Sequence, residues 1–281
     1  MTYRELLRQG TEQLSAADIE EASLDAWYLL ERASGMNRAR YFLEQTSEVS
    51  ASVEETFLAW IRERALRIPL QHILGDTEFM GLTFKVNRHV LIPRQDTEVL
   101  VEKALESAKR AQKKELRILD MCTGSGCIAI SLACLGDFAS VTAADISEEA
   151  LAVARENAAE NQAQVQFVHS DLFHALEGER YDMIVSNPPY IPSRVIEGLS
   201  PEVRDHDPML ALDGGADGLI FYRRLAAEGK KMLASGGQML FEIGCEQAAD
   251  VSEILSMEGY TDIEVIKDLT GKDRVVCCRK E

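Results

Sequence analysis

The 281-residue sequence predicts an α/β protein: a seven-stranded, mostly parallel, doubly wound sheet preceded by a small helical bundle and a linking β-hairpin. Three observations carry this expectation. Residues 1–75 repeat apolar positions at spacings of three and four, which marks one face of successive helices. From residue 94 onward short apolar runs alternate with helical patterns, the grammar of βα units in a parallel sheet. The last two apolar runs, "DIEVIKD" and "RVVCCRK", are joined only by "LTGKD". That link is too short for a parallel crossover, so the pair closes the sheet edge as an antiparallel hairpin.

The helical part divides into four segments. "YRELLRQGTEQL" comes first, followed by "DIEEASLDAWYLLERASG", with Ile19, Ala22, Ala26, Leu29 and Ala33 on one face, Asp18 as expected N-cap and Gly35 as stop. "NRARYFLEQ" is third. "SASVEETFLAWIRERALRI" repeats the face with Val53, Phe57, Trp60 or Ile61, and Arg64, until Pro69 breaks it. No catalytic constellation is evident there, and a packed bundle with solvated charges accounts for every residue. Its natural role is a binding module.

Residues 76–93 form the linking hairpin: "FMGLTFKVNRHVLIPR" (79–94) reads with Phe79 and the Leu82-to-Val86 run in a first strand and a turn at Asn87-Arg88. Residues 94–281 form the third region. "TEVLVEKALESAKRAQ" is helical, "LRILDM" a strand, "GCIAISLACLG" a helix and "SVTAADI" a strand. Ser147 opens the helix "SEEALAVARENAAE", with Glu149 beside it. "VQFVHSD" and "YDMIVSN" are strands. "DGLIFYRRLAAEGKKML" is a helix before the strand "GQMLFEIG", and "EQAADVSEILSMEG" is the last helix.

Ligands of open α/β sheets bind outside the carboxyl ends of the strands, so the residues that follow each strand are the site candidates. The first strand ends at Asp120 and runs into Cys122-Thr123-Gly124-Ser125-Gly126, where glycines allow close backbone approach and free N–H groups favour an anion. The second ends at Asp145, 19 residues beyond Gly126, a carboxylate placed to accept ribose hydroxyls. The third ends at Asp171-Leu172, a carboxylate beside an apolar surface suited to adenine. The fourth ends at Asn187-Pro188-Pro189-Tyr190. Each feature has an ordinary alternative: tight-turn glycines, an N-cap, a turn aspartate and a proline stop. Four polar strand ends in this order favour a nucleoside site.

Gly124 to Ala129 also satisfies GxGxxA, so a nicotinamide dinucleotide is one alternative. Two features favour S-adenosylmethionine (SAM). Asp120 suits an ammonium group better than a pyrophosphate, and Asn187-Pro188-Pro189-Tyr190 has a use in methyl transfer. An amide or aromatic amine nitrogen is a poor nucleophile because its lone pair is delocalised. If the Asn187 side-chain oxygen and the Pro188 carbonyl each accept one N–H of such an NH₂ group, the nitrogen is biased towards pyramidal geometry with its lone pair aimed at the methyl. Orientation and preorganised dipoles then do the catalysis. Tyr190 offers a flat face to the planar group.

A formal net charge of −17 weighs against nonspecific binding to nucleic acid or anionic membranes. The first ten residues lack the apolar core of a signal peptide, and no apolar run approaches a membrane span. Six cysteines without a regular framework fit reduced thiols in the cytoplasm. The histidines show no metal-ligand spacing, and Asp205-His206-Asp207 reads as a solvated loop cluster.

The sequence resembles the release-factor glutamine N5-methyltransferases along nearly its whole length. "PLQHILG" (69–75), "LIPRQDTE" (91–98), "DMCTGSGCIAI" (120–130), "ADISEEALAVARENA" (144–158) and "SDLF" (170–173) carry the similarity, with "YDMIVSNPPYI" (181–191), "LALDGGADGLIFYR" (210–223), "LFEIGCEQ" (240–247) and "DLTGKDRVV" (268–276). The resemblance implies a SAM-dependent enzyme acting on the glutamine of the Gly-Gly-Gln tip of class I peptide chain release factors, docked with help from the helical domain. Cys122 to Gly126 would cradle the methionine end of SAM, Asp145 would hold the ribose, and Leu172 would pack near the adenine. Asn187, Pro188, Pro189 and Tyr190 would grip the glutamine, with Arg94 lining the cleft. The sequence departs from the family pattern at Cys122, where glycine is frequent, at Leu172, where some members have tryptophan, and at Asp207, where glutamate is usual. An adenine-N6 methyltransferase acting on nucleic acid is the nearest alternative. The helical part, with eight basic against twelve acidic residues, lacks the basic stripe that reading requires. A non-catalytic nucleoside-binding adaptor is the alternative from another class, and the intact Asn187–Tyr190 segment weighs against it.

Overall fold

Thr2 starts the first helix with a reciprocal cap: its hydroxyl accepts from the Glu5 N–H, and the Glu5 carboxylate accepts from the Thr2 N–H at 2.8 Å. This is seen in a computed structural model that describes residues 1–111 and 115–281. Gln112, the end of one expected helix, lies outside the described residues. The chain forms two units, Met1–Asp76 with Ser200–His206, and Thr77–Leu199 with Asp207–Glu281.

The first unit contains helices α1 (Tyr3–Ala16), α2 (Ala22–Ser34), α3 (Arg38–Glu44), α4 (Ala51–Ala65) and α5 (Leu70–Leu74). Leu6, Leu14, Ile19, Ala26, Leu29, Phe57 and Ile61 make its core. A Cβ on Gly10 would lie 2.5 Å from the Phe57 ring, so α1 and α4 approach closely at a residue without a side chain. Of the two alternatives on α4, Ile61 is buried and Trp60 only partly so. Gly35 stops α2 in the left-handed conformation, as expected.

Two expectations for this unit need correction. Asp18 does not cap α2, whose N-cap is Glu21; it sits at φ +54 in the turn that ends α1. The Ile19 N–H bonds back to the Leu14 carbonyl, and that closure places Asp18 in the left-handed region. The charges are also not all solvated. Arg64 Nε donates to Asp25 Oδ2 at 2.7 Å and Arg64 Nη1 to Glu202 Oε1 at 3.0 Å, with Asp25 and Arg64 both buried. Arg67 Nη2 donates to the other Glu202 oxygen at 2.8 Å. These bonds hold the segment 200–206, remote in sequence, within the helical unit.

A two-stranded sheet follows in the chain, β1 (Asp76–Phe79) and β2 (Leu82–Lys85), all but its first residue in the second unit. Its turn is Met80-Gly81, with φ +52 and +74, not Asn87-Arg88. Two consecutive left-handed residues suit a two-residue hairpin turn, and Met-Gly is a poor sequence signal for it. Asn87 instead makes a local turn, its side-chain oxygen accepting from the His89 N–H. Val86, Val90 and Ile92 then pack as irregular chain against Ala150 and Val153.

The main sheet contains β3 (Arg117–Met121), β4 (Ser140–Asp145), β5 (Gln166–His169), β6 (Tyr181–Ser186), β7 (Leu233–Glu242), β8 (Thr261–Lys267) and β9 (Asp273–Arg279). Helix α6 (Glu98–Arg110) precedes this sheet, and between its strands are α7 (Cys127–Leu135), α8 (Glu148–Glu160), α9 (Ser193–Ile196), α10 (Pro201–Arg204, part of the helical unit), α11 (Met209–Leu212), α12 (Ile220–Met232) and α13 (Ala248–Met257). The order is β5-β4-β3-β6-β7-β9-β8, parallel from β5 to β7, with β9 antiparallel to both neighbours. The seven-stranded, mostly parallel sheet of the sequence analysis is present. β7 starts four residues earlier than the apolar run suggested, at Leu233. Gly236 and Gly237 are inside it, bonded to Lys280.

Alternation along β3 feeds two cores, Ile118 on one face and Leu119 on the other. The chain winds outward from β3 to β5, then returns to the other side of β3 as β6, so the order reverses between β3 and β6. Ligand crevices form at such a reversal. The register Met121↔Ser186 ends both strands at one level, which sets Cys122 and Asn187 as the first residues beyond the sheet. Among the described residues no helix is long and apolar enough to cross a membrane.

Candidate active site

The loop after β3 has three left-handed residues in five: Cys122 (φ +63), Gly124 (φ +56) and Gly126 (φ +81). Cys122 takes a conformation that favours glycine, which gives the departure at this position a cost of about 1 kcal/mol. Burial and the neighbouring Asp145 push its thiol pKa well up, so it is a neutral small side chain. Gly124 has open space where a Cβ would project, whereas a Cβ on Gly126 would meet Ile130 at 2.9 Å and Ala154 at 3.0 Å. Gly126 therefore serves the packing of α7 on α8 and does not line the cavity beside the loop.

Asp120 does not face that cavity either. It is fully buried beneath the loop, where Oδ2 accepts from the Thr123 hydroxyl at 2.5 Å and the Ala129 N–H at 3.1 Å. Oδ1 has no hydrogen-bond partner, and burial raises the pKa to about 7. The expectation that Asp120 faces an ammonium group is thus overturned: its position at the strand end was legible, but the pleat turns its side chain inward. Asn157 on α8 is a second brace. Its amide nitrogen donates to the Ser125 carbonyl at 2.9 Å and its oxygen accepts from the Lys85 N–H at 2.7 Å.

Asp145 stands at the rim with both oxygens engaged. Oδ2 accepts from the Gly124 N–H at 2.8 Å and Oδ1 from the Ser147 N–H at 2.9 Å. Each oxygen keeps a second lone pair for a ligand. Ser147 caps α8, as expected. At the end of β5, Leu172 is buried with φ +46, and the Ser170 hydroxyl donates to its carbonyl. Asp171 pairs with Arg224 of α12 at 3.0 Å.

Asn187 and Pro189 line the cavity, with Pro188 between them in the chain; Pro188 and Tyr190 are not themselves part of the lining. Asn187 Nδ2 donates to the Thr97 hydroxyl oxygen at 3.3 Å. The Tyr190 hydroxyl turns away to Glu242 Oε1 at 3.4 Å, and its carbonyl accepts from Gln247 Nε2 at 3.0 Å. The glycines of "DGGADGL" have a purpose here. A Cβ on Gly214 would lie 2.8 Å from the Tyr190 backbone, and one on Gly218 would lie 2.3 Å from its carbonyl oxygen. Arg94 reaches the rim, where Nη2 donates to Asp207 Oδ2 at 2.8 Å. Asp207 is buried, which corrects the solvated reading for that residue, while Asp205 remains exposed beside Arg204.

The cavity has a volume of about 250 Å³. Its walls bring together Cys122, Thr123, Gly124, Ser125, Asp145, Asp171, Leu172, Asn187, Pro189 and Arg94 from the expected set. Sequence reasoning missed Val90, Leu91, Thr97, Phe221 and Arg224. These come from irregular chain and from helices, where periodicity explains an apolar residue without pointing to a ligand.

A family model described as "Methyltransferase small domain" matches residues 95–197, and one described as "PrmC N-terminal domain" matches residues 5–75. The release factor glutamine methyltransferase of Geobacter sulfurreducens is 40% identical over 98% of this chain and 95% of its own length. That of Deinococcus radiodurans is 40% identical over 100% and 99%. Among solved structures, a methyltransferase from Pyrococcus furiosus superposes with a TM-score of 0.52 at 19% identity, covering 71% of this chain and 89% of that one. At that identity the superposition shows the fold alone. The two relatives carry more, because their similarity spans both units and the cavity residues between β3 and α12: this chain belongs to the release factor glutamine methyltransferase family.

Proposed function

We propose that the protein transfers a methyl group from SAM to the N5 amide nitrogen of the glutamine in the Gly-Gly-Gln tip of peptide chain release factors, in the cytoplasm. The observation that carries this reading is the orientation of Asn187. With Nδ2 donated to Thr97, the Asn187 carbonyl oxygen is the end left to accept an N–H from the cavity. An amide NH₂ has such hydrogens to give; a carboxylate and a hydroxyl oxygen bound through its lone pairs do not.

The cavity suits the cofactor on its own chemistry. Gly124 leaves room for close approach, Asp145 keeps lone pairs for two vicinal hydroxyls, and Leu172 and Phe221 offer apolar surface. SAM supplies an electrophilic methyl on a sulfonium sulfur. The protein's part is to hold the substrate nitrogen. Asn187 Oδ1 and the Pro188 carbonyl each accept one N–H, which draws the nitrogen out of conjugation and aims its lone pair along the methyl axis. Pro188 and Pro189 stiffen the backbone that carries these acceptors. No base is required before attack, since the nitrogen becomes acidic only once methylated. Arg94, fixed by Asp207, places a positive charge at the rim. The helical unit presents the docking surface for the factor.

Incubation with labelled SAM and purified release factor, followed by mass mapping, tests the reading. The label is expected on the tip glutamine, and replacement of that glutamine by glutamate is expected to abolish transfer. Label on RNA or DNA instead of the factor would overturn it in favour of an adenine amino group.

A further inference from the structure

Gln247 is the N-cap residue of α13, a position that favours a short side chain able to accept from the first helical N–H groups. The Gln247 side chain makes no such bond. Its Oε1 accepts from the Gly244 N–H at 2.9 Å, while Nε2 donates to the Tyr190 carbonyl at 3.0 Å and to the Gly218 carbonyl at 3.2 Å. Both hydrogens of the amide are thus used, and only this orientation serves one N–H and two carbonyls. Glycines clear the space around it. A Cβ on Gly218 would lie 2.7 Å from Nε2, and one on Gly244 would lie 2.9 Å from Oε1. A side chain that leaves its helix uncapped while two backbones make room for it breaks a local rule, and such breaks cluster at functional sites.

We propose that Gln247 is a positioning residue for methyl transfer: by holding the Tyr190 carbonyl it fixes the peptide that ends the Asn187–Tyr190 segment, and with it the direction of the Pro188 carbonyl. The inference rests on the reading of Asn187 and Pro188 as the acceptors of the substrate NH₂ group. At its start the segment is fixed by β6, where the Ser186 hydroxyl donates to the Met121 carbonyl at 2.6 Å. Pro188 and Pro189 hold their own φ angles, so the freedom left is rotation of the peptide planes between them and the far end. The far end removes it. The Tyr190–Ile191 peptide is pinned on both edges: its N–H donates to the Leu212 carbonyl at 3.0 Å, and its oxygen accepts from Gln247. Without Gln247 that plane turns about the Leu212 bond, and the Pro188 carbonyl two residues earlier turns with it. The bond to Gly218 anchors the same amide to the loop before α12, so the clasp does not move with the segment it holds.

The test uses the full-length protein with release factor and SAM, and the variants Gln247→Glu and Gln247→Met. Glutamate keeps the shape and the acceptor for Gly244 but has no hydrogen for either carbonyl. Methionine keeps the length without donor or charge. Each is expected to lower kcat by about tenfold to 10²-fold, the cost of a misplacement of about 1 Å at a reacting centre. Calorimetric SAM binding is expected to stay unchanged, because Gln247, Tyr190, Gly218 and Gly244 do not line the cavity. Combined with Asn187→Ala, Gln247→Met is expected to cost less than the product of the two single losses, since the grip that Gln247 positions is already broken. Independently of turnover, both variants should shift the Tyr190 carbonyl carbon in NMR spectra of the cofactor-free protein, with circular dichroism unchanged. Wild-type kcat in either variant, fully multiplicative losses in the pair, a loss of SAM affinity equal to that of kcat, or an unmoved Tyr190 carbonyl would overturn the proposal. If the unmodified enzyme left the factor unmethylated, the functional reading would fall, while the carbonyl shift would still decide whether Gln247 holds the segment.

Discussion

Asp25 and Arg64 in the helical unit, and Asp120 and Glu242 in the sheet unit, are all almost fully buried, yet their surroundings treat them in opposite ways. Arg64 lies between two carboxylates, and Glu202 has a guanidinium on each oxygen. Burial alone would raise the Glu202 pKa, but Arg67 and Arg64 outweigh it and hold it low. Asp120 and Glu242 each keep one oxygen without a hydrogen bond, and both pKa values rise to about 7. The first cluster closes on itself and ties a remote segment into a bundle. The second leaves polar capacity beside a cavity, where Asp120 holds the loop after β3. Charge that stabilises is paired within the protein; charge that serves a site is left partly unmet.

The contrast predicts different readouts for different substitutions. The largest effect belongs to Arg64→Ala, which strands the buried Asp25 and leaves Glu202 with Arg67 alone. It should destabilise the helical unit by about 3–5 kcal/mol, the cost of removing one partner from a buried ion pair. Denaturant unfolding would show this as a lowered midpoint, and an unchanged midpoint would remove the distinction between the units.

Asn187→Ala should leave unfolding almost unaltered and instead lower kcat by about 10²–10³, the cost of losing one preorganised polar group at a reacting centre. Turnover of release factor near the wild-type rate would return the Asn187–Tyr190 segment to a mere strand stop.

Next in size is a pH effect. Asp120 has its folded-state pKa raised from 3.8 to about 7. Its contribution to stability is therefore present at acid pH, below the unfolded value, and is lost as pH rises through 7. Between about pH 5 and 8 this amounts to roughly 2–3 kcal/mol. Asp120→Asn should flatten that part of the stability profile in the cofactor-free protein. A profile equally steep in the variant would place the charge elsewhere.

The smallest effect is expected at Asp145, whose carboxylate is already held by two backbone N–H groups. Asp145→Ala should weaken SAM binding by about 1.5–3 kcal/mol, the range for hydrogen bonds to a charged group. Calorimetry with the fold checked by circular dichroism measures it, and undiminished affinity would detach Asp145 from the ribose.

Local pattern by itself determined a large part of this protein. Apolar period separated helices from strands, because each element buries the face that its own period creates. The short "LTGKD" link required the antiparallel closing pair, because a parallel crossover needs more chain. Strand ends located Asp145, Asp171 and Asn187, because open parallel sheets leave their carboxyl ends to ligands. The tertiary structure decided what depends on contacts between distant residues. Only packing turns Asp120 under its loop, brings Asn157 to Ser125 and Lys85, and buries Asp207 against Arg94. Only packing shows that Gly214 and Gly218 make room for the Tyr190 backbone. The Tyr190–Glu242 and Asn187–Thr97 contacts likewise join residues far apart in the chain. Sequence period reports which side of an element is buried; the direction of a hydrogen bond and the desolvation of a charge depend on what the rest of the fold places there.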